Sequence, residues 1–137
     1  MGLGGFVDGI LLHQILQWHN MGSARVPPVT LQAAQANMRW DGFFHAGVWL
    51  LTVVGMYLLL RAARTGALLP SPLAFTGQLV LGWGIFNLVE GTVGHHLLQL
   101  HHVRDLPMHV PLYDWLFLIV GGVGLILLGR LLARSPM

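Results

Sequence analysis

A pattern of acid, glycine, histidine and glutamine residues occurs twice in this chain, 82 positions apart. In each copy these polar residues interrupt otherwise apolar sequence. The matching positions are Asp8-Gly9, His13, Leu16, Gln17 and His19 in the first copy and Glu90-Gly91, His95, Leu98, Gln99 and His101 in the second. Because self-similarity at a fixed spacing marks a repeated structural unit, the pattern predicts a duplicated helical hairpin.

The segments around these motifs are apolar enough to lie in a membrane. The chain is 55% hydrophobic and 9% charged, whereas about a quarter of the residues of an ordinary soluble protein are charged. A helix needs about 20 apolar residues to cross a bilayer. Apolar runs lie at roughly residues 3–18, 42–60, 73–100 and 112–132. We therefore predict an all-α integral membrane four-helix bundle.

The predicted bundle is a single transmembrane domain over residues 1–137, with repeat one at 1–64 and repeat two at 73–134. Helices one and three then run parallel, as do two and four, so the two hairpins are related by a pseudo-twofold axis along the membrane normal. The first apolar run is short, and the repeat offset would place its expected start about ten residues before Met1. This difference indicates a truncated or misassigned N-terminus.

Arginine positions predict the orientation of the bundle. Arg61 and Arg64 close the second apolar run, and Arg130 and Arg134 close the fourth. Since basic residues favour the cytoplasmic side, both termini are expected in the cytoplasm. The opposite side carries three arginines, Arg25, Arg39 and Arg104. The seven arginines form no basic run, so nucleic-acid binding is not expected.

The long connection between the first two apolar runs contains a helix signal. Thr30 can cap a segment of good helix formers from Leu31 to Met38. We expect this segment to be a short separate helix that lies along the membrane interface. The chain has no cysteine, so a metal site would have to use nitrogen, oxygen or thioether ligands.

The predicted topology gathers histidines and acids at the extracytoplasmic end of the bundle. In a continuous helix, Asp8 and His19 would lie about 16 Å apart along the axis, and so would Glu90 and His101. Neither pair could then bind one ion. His13 would lie about 9 Å deeper than His19, so these residues would form separate layers unless a π-bulge or a break intervened. Asp41 and His45 are four residues apart, a spacing that allows both side chains to hold one metal.

Matching depths between neighbouring helices gives His13, His45 and His95 as the preferred metal ligands. Three imidazoles suit zinc or copper, whereas added carboxylates favour iron or a site with two ions. The further candidate ligands are Asp41, Asp114, His19 and His101. The second half has Leu118 where His45 would recur, so the site is not expected to be symmetric.

Asp8 and Glu90 are the deepest ionisable residues of the pattern. They are expected to be catalytic proton carriers or to accept hydrogen bonds from ligand histidines, because ionisable groups at this depth are costly and usually functional. His96, His102 and His109 lie outside the repeat and are expected in interfacial loops.

Four motifs resemble those of a family of small bacterial four-helix membrane proteins classified as a domain of unknown function. The resemblance covers nearly the whole chain and implies the four-helix topology and a bacterial inner-membrane location, but no reaction. The short N-terminus is where the chain departs from the family. The motifs are Val7-Asp8-Gly9-Ile10-Leu11-Leu12-His13, Asp41-Gly42-Phe43-Phe44-His45, Asn87-Leu88-Val89-Glu90-Gly91 and His101-His102-Val103-Arg104.

The eight histidines also resemble, more weakly, the histidine boxes of membrane desaturases and alkane hydroxylases. The two His-His pairs, His95-His96 and His101-His102, are separated by four residues. Those enzymes instead pair a single histidine with a His-His doublet. Their activity is therefore not transferred to this chain.

Three functions fit the pattern. The preferred one is a membrane metalloenzyme that uses zinc, copper or iron, as one or two ions, for oxidation or hydrolysis. The second is a non-catalytic protein that binds or delivers copper or zinc. The third is a haem b cytochrome in which His13 and either His95 or His45 are the axial ligands. A purely structural helix bundle is the least favoured interpretation. Expected partners are the lipid bilayer, a second copy of the chain, and a respiratory or metal-handling membrane protein.

Overall fold

A computed structural model describes residues 1–66 and 70–134, and in these residues it contains helices and no strands. Helix α1 consists of Gly2–Asp8 and continues as a π-helical segment, Gly9–Ile15. Helix α2 is Leu31–Arg64. Helix α3 is Pro72–Glu90 and also continues as a π-helical segment, Gly91–Leu97. Helix α4 runs over Pro111–Ala133 and includes a π-helical stretch, Phe117–Gly124.

Three of these helices, α2, α3 and α4, are long and apolar enough to cross a membrane. The two segments of α1 have seven residues each, so this helix is shorter than the roughly 20 residues that a crossing needs. The all-α prediction is confirmed for the described residues. The sequence prediction of four crossing helices is matched by three candidate spans and one shorter helix.

Helix α2 differs from the expected short interfacial helix. Thr30 does cap it, because its hydroxyl oxygen accepts a hydrogen bond from the backbone N–H of Ala33 at 3.2 Å. The helix then continues past Met38 to Arg64 without a break. The prediction of a separate segment was therefore wrong: no proline or glycine pair interrupts the run, so the good helix formers simply extend the membrane helix.

Small residues bring the helices close together. Helix α1 lies between α2 and α3: a Cβ on Gly5 would meet both Val48 of α2 and Phe86 of α3. A Cβ on Gly84 of α3 would lie 2.7 Å from the backbone nitrogen of Ile126 in α4. Since lipid supplies little driving force between helices, this close approach provides the packing contacts that hold membrane helices together.

Polar side chains fill the interior of the molecule. Among the described residues, ten polar or charged side chains are buried, against four hydrophobic ones. Large apolar side chains such as Phe43, Trp49 and Tyr57 of α2 are instead more than half exposed. An apolar exterior around a polar interior is the arrangement expected of a protein surrounded by lipid rather than by water.

The two connections before α2 and before α4 pack against each other at one end of the helices. The backbone N–H of Ala24 donates to the carbonyl of Leu100 at 3.1 Å, and that of Leu106 donates to the carbonyl of Trp18 at 2.9 Å. These contacts hold residues 16–30 and 98–110 over the ends of α1 and α3, where the buried histidines lie.

Candidate metal centre

Four imidazoles pack together beneath the two connections. Ring centroids are 4.4 Å apart for His13 and His19, 4.6 Å for His19 and His101, and 4.9 Å for His95 and His101. All four side chains are at least 98% buried. Asp8 and Glu90 adjoin this group. We call these six residues the inner cluster: Asp8, His13, His19, Glu90, His95 and His101.

A change of backbone geometry brings the residues of the inner cluster together. The π-helical segments Gly9–Ile15 and Gly91–Leu97 widen the ends of α1 and α3. The next turn then ends at Gln17 and Gln99, with φ values of 51° and 48°. This left-handed conformation is costly for residues other than glycine, and it redirects the chain back towards the helix that it has just left.

The redirected chain overturns the distance expected for a continuous helix. Nε2 of His101 lies 2.8 Å from Oε1 of Glu90, where a continuous helix would separate the two residues by about 16 Å. The prediction that Glu90 and His101 are too far apart to bind one ion was therefore wrong, because it assumed a continuous helix. Both a π-helical segment and a break intervene.

Two of the histidines are oriented by carboxylates on neighbouring helices. Nδ1 of His13 donates a hydrogen bond to Oδ1 of Asp41 at 3.1 Å. Nδ1 of His95 lies 3.4 Å from Oδ1 of Asp114. Histidines that bind metals commonly direct their second ring nitrogen at a carboxylate in this way.

The other two histidines are oriented by the opposite connection. Nδ1 of His19 donates to the carbonyl oxygen of Val103 at 2.9 Å, and Nδ1 of His101 donates to that of Met21 at 3.3 Å. Burial lowers the pKa of His19 well below its usual value. His19 is therefore neutral at pH 7, as a metal ligand must be.

These Nδ1 contacts leave the Nε2 atoms to face the carboxylates of the inner cluster. Nε2 of His13 lies 3.4 Å from Oδ2 of Asp8, and Nε2 of His95 lies 3.2 Å from Oε2 of Glu90. A neutral imidazole that donates through Nδ1 presents a lone pair at Nε2. If both imidazoles are neutral, two acceptors face each other across each short distance, and either a proton or a metal ion between them would satisfy both.

In addition to Nδ1 of His95, seven buried atoms of the inner cluster make no hydrogen bond of good geometry among the described residues. Each such atom costs free energy unless a ligand satisfies it. They are Oδ2 of Asp8, both carboxylate oxygens of Glu90, and Nε2 of His13, His19, His95 and His101. Nitrogen and oxygen donors in this combination fit zinc, iron and other divalent transition metals.

Ligand atoms of the inner cluster converge in two groups of three. The atoms of each group lie within 4.8 Å of one another. The first group is His13, His19 and His101, and the second is Glu90, His95 and His101. Asp8 contacts the first group through His13.

The preferred set of His13, His45 and His95 is divided between different places. His13 and His95 belong to different groups, and His45 belongs to none of the groups found in residues 1–66 and 70–134. Nδ1 of His45 donates to the carbonyl of Asp41 at 2.7 Å, and its Nε2 lies over Gly9, where a Cβ would approach within 2.5 Å. Of the other candidates, Asp41 contacts the cluster through Nδ1 of His13.

Two histidines assigned to interfacial loops also meet an acid. His102, His109 and Asp114 form a third group of potential ligands, which adjoins the inner cluster at His95 and lies nearer the surface. Sequence spacing gave no sign of this group, because His109 has no counterpart in the repeat and reaches Asp114 only through the turn that begins α4. His96, by contrast, packs against Trp115 with ring centroids 4.9 Å apart.

A cavity of about 1070 Å³ adjoins the inner cluster on the side of α2. Its lining residues include His13, Asp41, His45, Trp18 and Met38. A mostly apolar cavity with a few convergent polar groups is typical of sites for small molecules.

Comparisons with known proteins identify a family but no activity. No curated protein and no solved structure gave a significant match. The sequence model of one family, described as "Predicted membrane protein (DUF2243)", matches residues 1–136. The chain therefore belongs to this family of predicted membrane proteins of unknown function.

Proposed function

We propose that this protein is a membrane metalloprotein whose inner cluster holds one or two divalent transition-metal ions. The observation that carries the proposal is the set of seven buried donor atoms that face one another without hydrogen-bond partners among the described residues. Hydrogen bonds at Nδ1 support it, because they fix His13, His19 and His101 with Nε2 directed into the cluster.

Charge balance favours two ions over one. Asp8, Asp41, Glu90 and Asp114 surround the histidines, and within the described part of the chain their ion-pair contacts are all with histidine. Buried charges need compensation. Two divalent ions would neutralise four carboxylates while leaving the imidazoles neutral.

Contacts at equivalent positions support the proposed pseudo-twofold relation between the halves. His19 bonds to the carbonyl of Val103, and 82 positions later His101 bonds to the carbonyl of Met21, 82 before Val103. A two-ion site between the halves would follow from this exchange. Each half would supply one acid and two histidines.

We further propose an enzymatic role, oxidation or hydrolysis, in preference to metal storage. The cavity beside His13 supports this role, because a storage site needs no space for an organic molecule. A metal bound there would activate water or oxygen. His45 lines the cavity and could exchange a proton with a substrate, while Asp8 and Glu90 are proposed as ligands, with proton transfer as their alternative role.

Metal delivery is the second candidate function. It is favoured by the exposed group at His102 and His109, which shares Asp114 with the neighbourhood of His95. A haem b site is less favoured, because Asp8 and Glu90 lie 3.4 and 3.2 Å from Nε2 of His13 and His95, where haem would have to lie.

The proposed location is the bacterial inner membrane, with α1 beside α2 and α3 as a fourth membrane segment. Both termini would be cytoplasmic and the inner cluster extracytoplasmic, as the arginines at 61, 64, 130 and 134 favour. A second copy of the chain and a respiratory or metal-handling protein are the proposed partners.

Elemental analysis of protein purified without added metal or a histidine tag tests the function. We expect zinc, iron or copper at one or two ions per chain, and His101→Ala should lose most of it because His101 belongs to both ligand groups. His96→Ala is the matched control and should keep it. A wild-type protein that holds no metal and takes up none when zinc, iron or copper is supplied would contradict the proposal.

A further inference from the structure

A second group of potential ligands lies outside the inner cluster, in the connection before α4. Nδ1 of His102 and Nε2 of His109 each lie 3.0 Å from Oδ2 of Asp114. The two imidazole rings stack with centroids 3.9 Å apart and planes inclined by 18°. Two nitrogens and one oxygen therefore converge from three side chains.

The arrangement leaves a donor atom unsatisfied. Nε2 of His109 donates a hydrogen bond to Oδ2 of Asp114 at 3.0 Å. Nδ1 of His102 is buried and lies equally close to that oxygen, but it makes no hydrogen bond of good geometry within residues 1–66 and 70–134. The other oxygen of Asp114, Oδ1, accepts the backbone N–H of Val103 at 2.8 Å, which fixes the carboxylate with Oδ2 towards the two histidines. The side chain of His109 is 40% exposed, so water and ions can reach the group.

The first half of the chain has an asparagine at the position that corresponds to His102. Asn20 stands 82 residues before His102. Its side-chain Nδ2 donates to Oδ2 of Asp41 at 2.7 Å, so a neutral amide satisfies that carboxylate. At the corresponding place in the second half, imidazoles approach Asp114 instead, and an imidazole nitrogen is a metal ligand whereas an amide NH₂ is not.

We propose that His102, His109 and Asp114 form an outer metal site that binds a divalent transition ion from the aqueous phase. Two imidazoles and a carboxylate suit zinc and the later first-row metals, and water can complete the coordination on the exposed side. The site adjoins the inner cluster, because Oδ1 of Asp114 lies 3.4 Å from Nδ1 of His95, but its three ligands use other atoms and need no metal in the inner cluster.

Titration of the full-length protein with Co²⁺, followed by its visible absorption and by the amount bound per chain, tests the outer site. His102→Asn is the most informative variant, because it reproduces the hydrogen bond that Asn20 makes to Asp41 and so preserves the packing. His109→Ala removes a partly exposed side chain and serves as the second variant. We expect each to bind one Co²⁺ fewer than the wild type.

Further variants distinguish the outer site from the inner cluster. His96→Ala should bind as much Co²⁺ as the wild type. His101→Ala should lose the Co²⁺ bound in the inner cluster but keep the one Co²⁺ ion bound at the outer site, which is the ion that His109→Ala loses. If His101→Ala binds as much Co²⁺ as the wild type, the inner-cluster proposal fails. The difference in bound Co²⁺ between the wild type and His109→Ala still tests the outer site. Equal Co²⁺ binding by the wild type, His102→Asn and His109→Ala would overturn the outer-site proposal.

Discussion

Glu90 is the residue on which the proposed inner site depends most. Its two carboxylate oxygens contact two different histidines, His101 at 2.8 Å and His95 at 3.2 Å. In the first half, Asp8 contacts one histidine, His13, at 3.4 Å. The longer glutamate side chain therefore allows the second half to connect two ligands where the first half connects one.

We expect Glu90→Gln to lower the metal content of the purified protein to half or less. The substitution keeps the shape of the side chain but removes its charge and converts one ligand oxygen into an NH₂ group, which cannot bind a metal. Elemental analysis measures the effect. His96→Ala is a suitable control, because His96 packs against Trp115 and belongs to none of the ligand groups found in the described residues. Full metal content in Glu90→Gln would show that Glu90 is not a ligand and would favour proton transfer.

Asp41 acts on the proposed site through His13 rather than by direct contact with a metal. Its Oδ1 atom accepts from Nδ1 of His13 and from the backbone N–H of Met21. Groups that orient a ligand histidine typically contribute 10- to 100-fold to metal affinity. We expect Asp41→Ala to weaken metal binding by about that factor in a competition titration with a chelator, with the number of ions at saturation unchanged. An unchanged affinity would exclude an orienting role.

At the scale of single elements, the feature that most affects the site is the left-handed turn after each π-helical segment. Gln17 and Gln99 have exposed side chains and positive φ values of 51° and 48°. Because these side chains are exposed, the two glutamines affect the fold through their backbone conformation rather than through side-chain contacts. The strain at these two positions allows His19 and His101 to return to the cluster.

A pair of substitutions at Gln99 tests this role of the turn. Gln99→Gly should leave the stability of the protein within about 1 kcal/mol, since glycine adopts positive φ without steric cost. Gln99→Val should lower it by at least about 1 kcal/mol and reduce metal content, because a β-branched residue is a poor fit to this conformation. Thermal unfolding in detergent measures both. Gln14→Val, in the π-helical segment, is the control; an equal loss there would mean that the turn is not special.

The sequence predicted which elements would form better than how their ends would bend. Apolar runs and the Thr30 cap predicted helices, and the repeat identified the acids and the histidines that meet. Neither indicated that α2 would continue unbroken from Leu31 or that residues 91–97 would be π-helical. A π-helical end and a left-handed glutamine depend on tertiary contacts between the two connections, and no local residue preference encodes them. That is why His45 was preferred to His19 and His101.

At the scale of the whole molecule, the inner cluster connects all four helices and both connections. Its residues and the groups that orient them come from α1, α2, α3, α4 and both connections. The described interior contains few buried hydrophobic side chains. Metal binding is therefore expected to stabilise the molecule as a unit rather than one helix.

This dependence predicts a large effect of metal removal on unfolding. A ligand that binds only the folded state stabilises it by about 4 kcal/mol at a free concentration 1,000 times its Kd. We expect a chelator to lower the Tm of the wild type and of His96→Ala by similar amounts, and to change that of His101→Ala little. The difference between metal-loaded and chelated protein should shrink as the pH falls below about 6.5, because protons compete with metal for imidazole nitrogens. The contrary outcome is a wild-type protein that contains metal but keeps the same Tm when chelator is added at pH 7.5. That result would mean that the inner cluster is held together by its own hydrogen bonds and not by the ion.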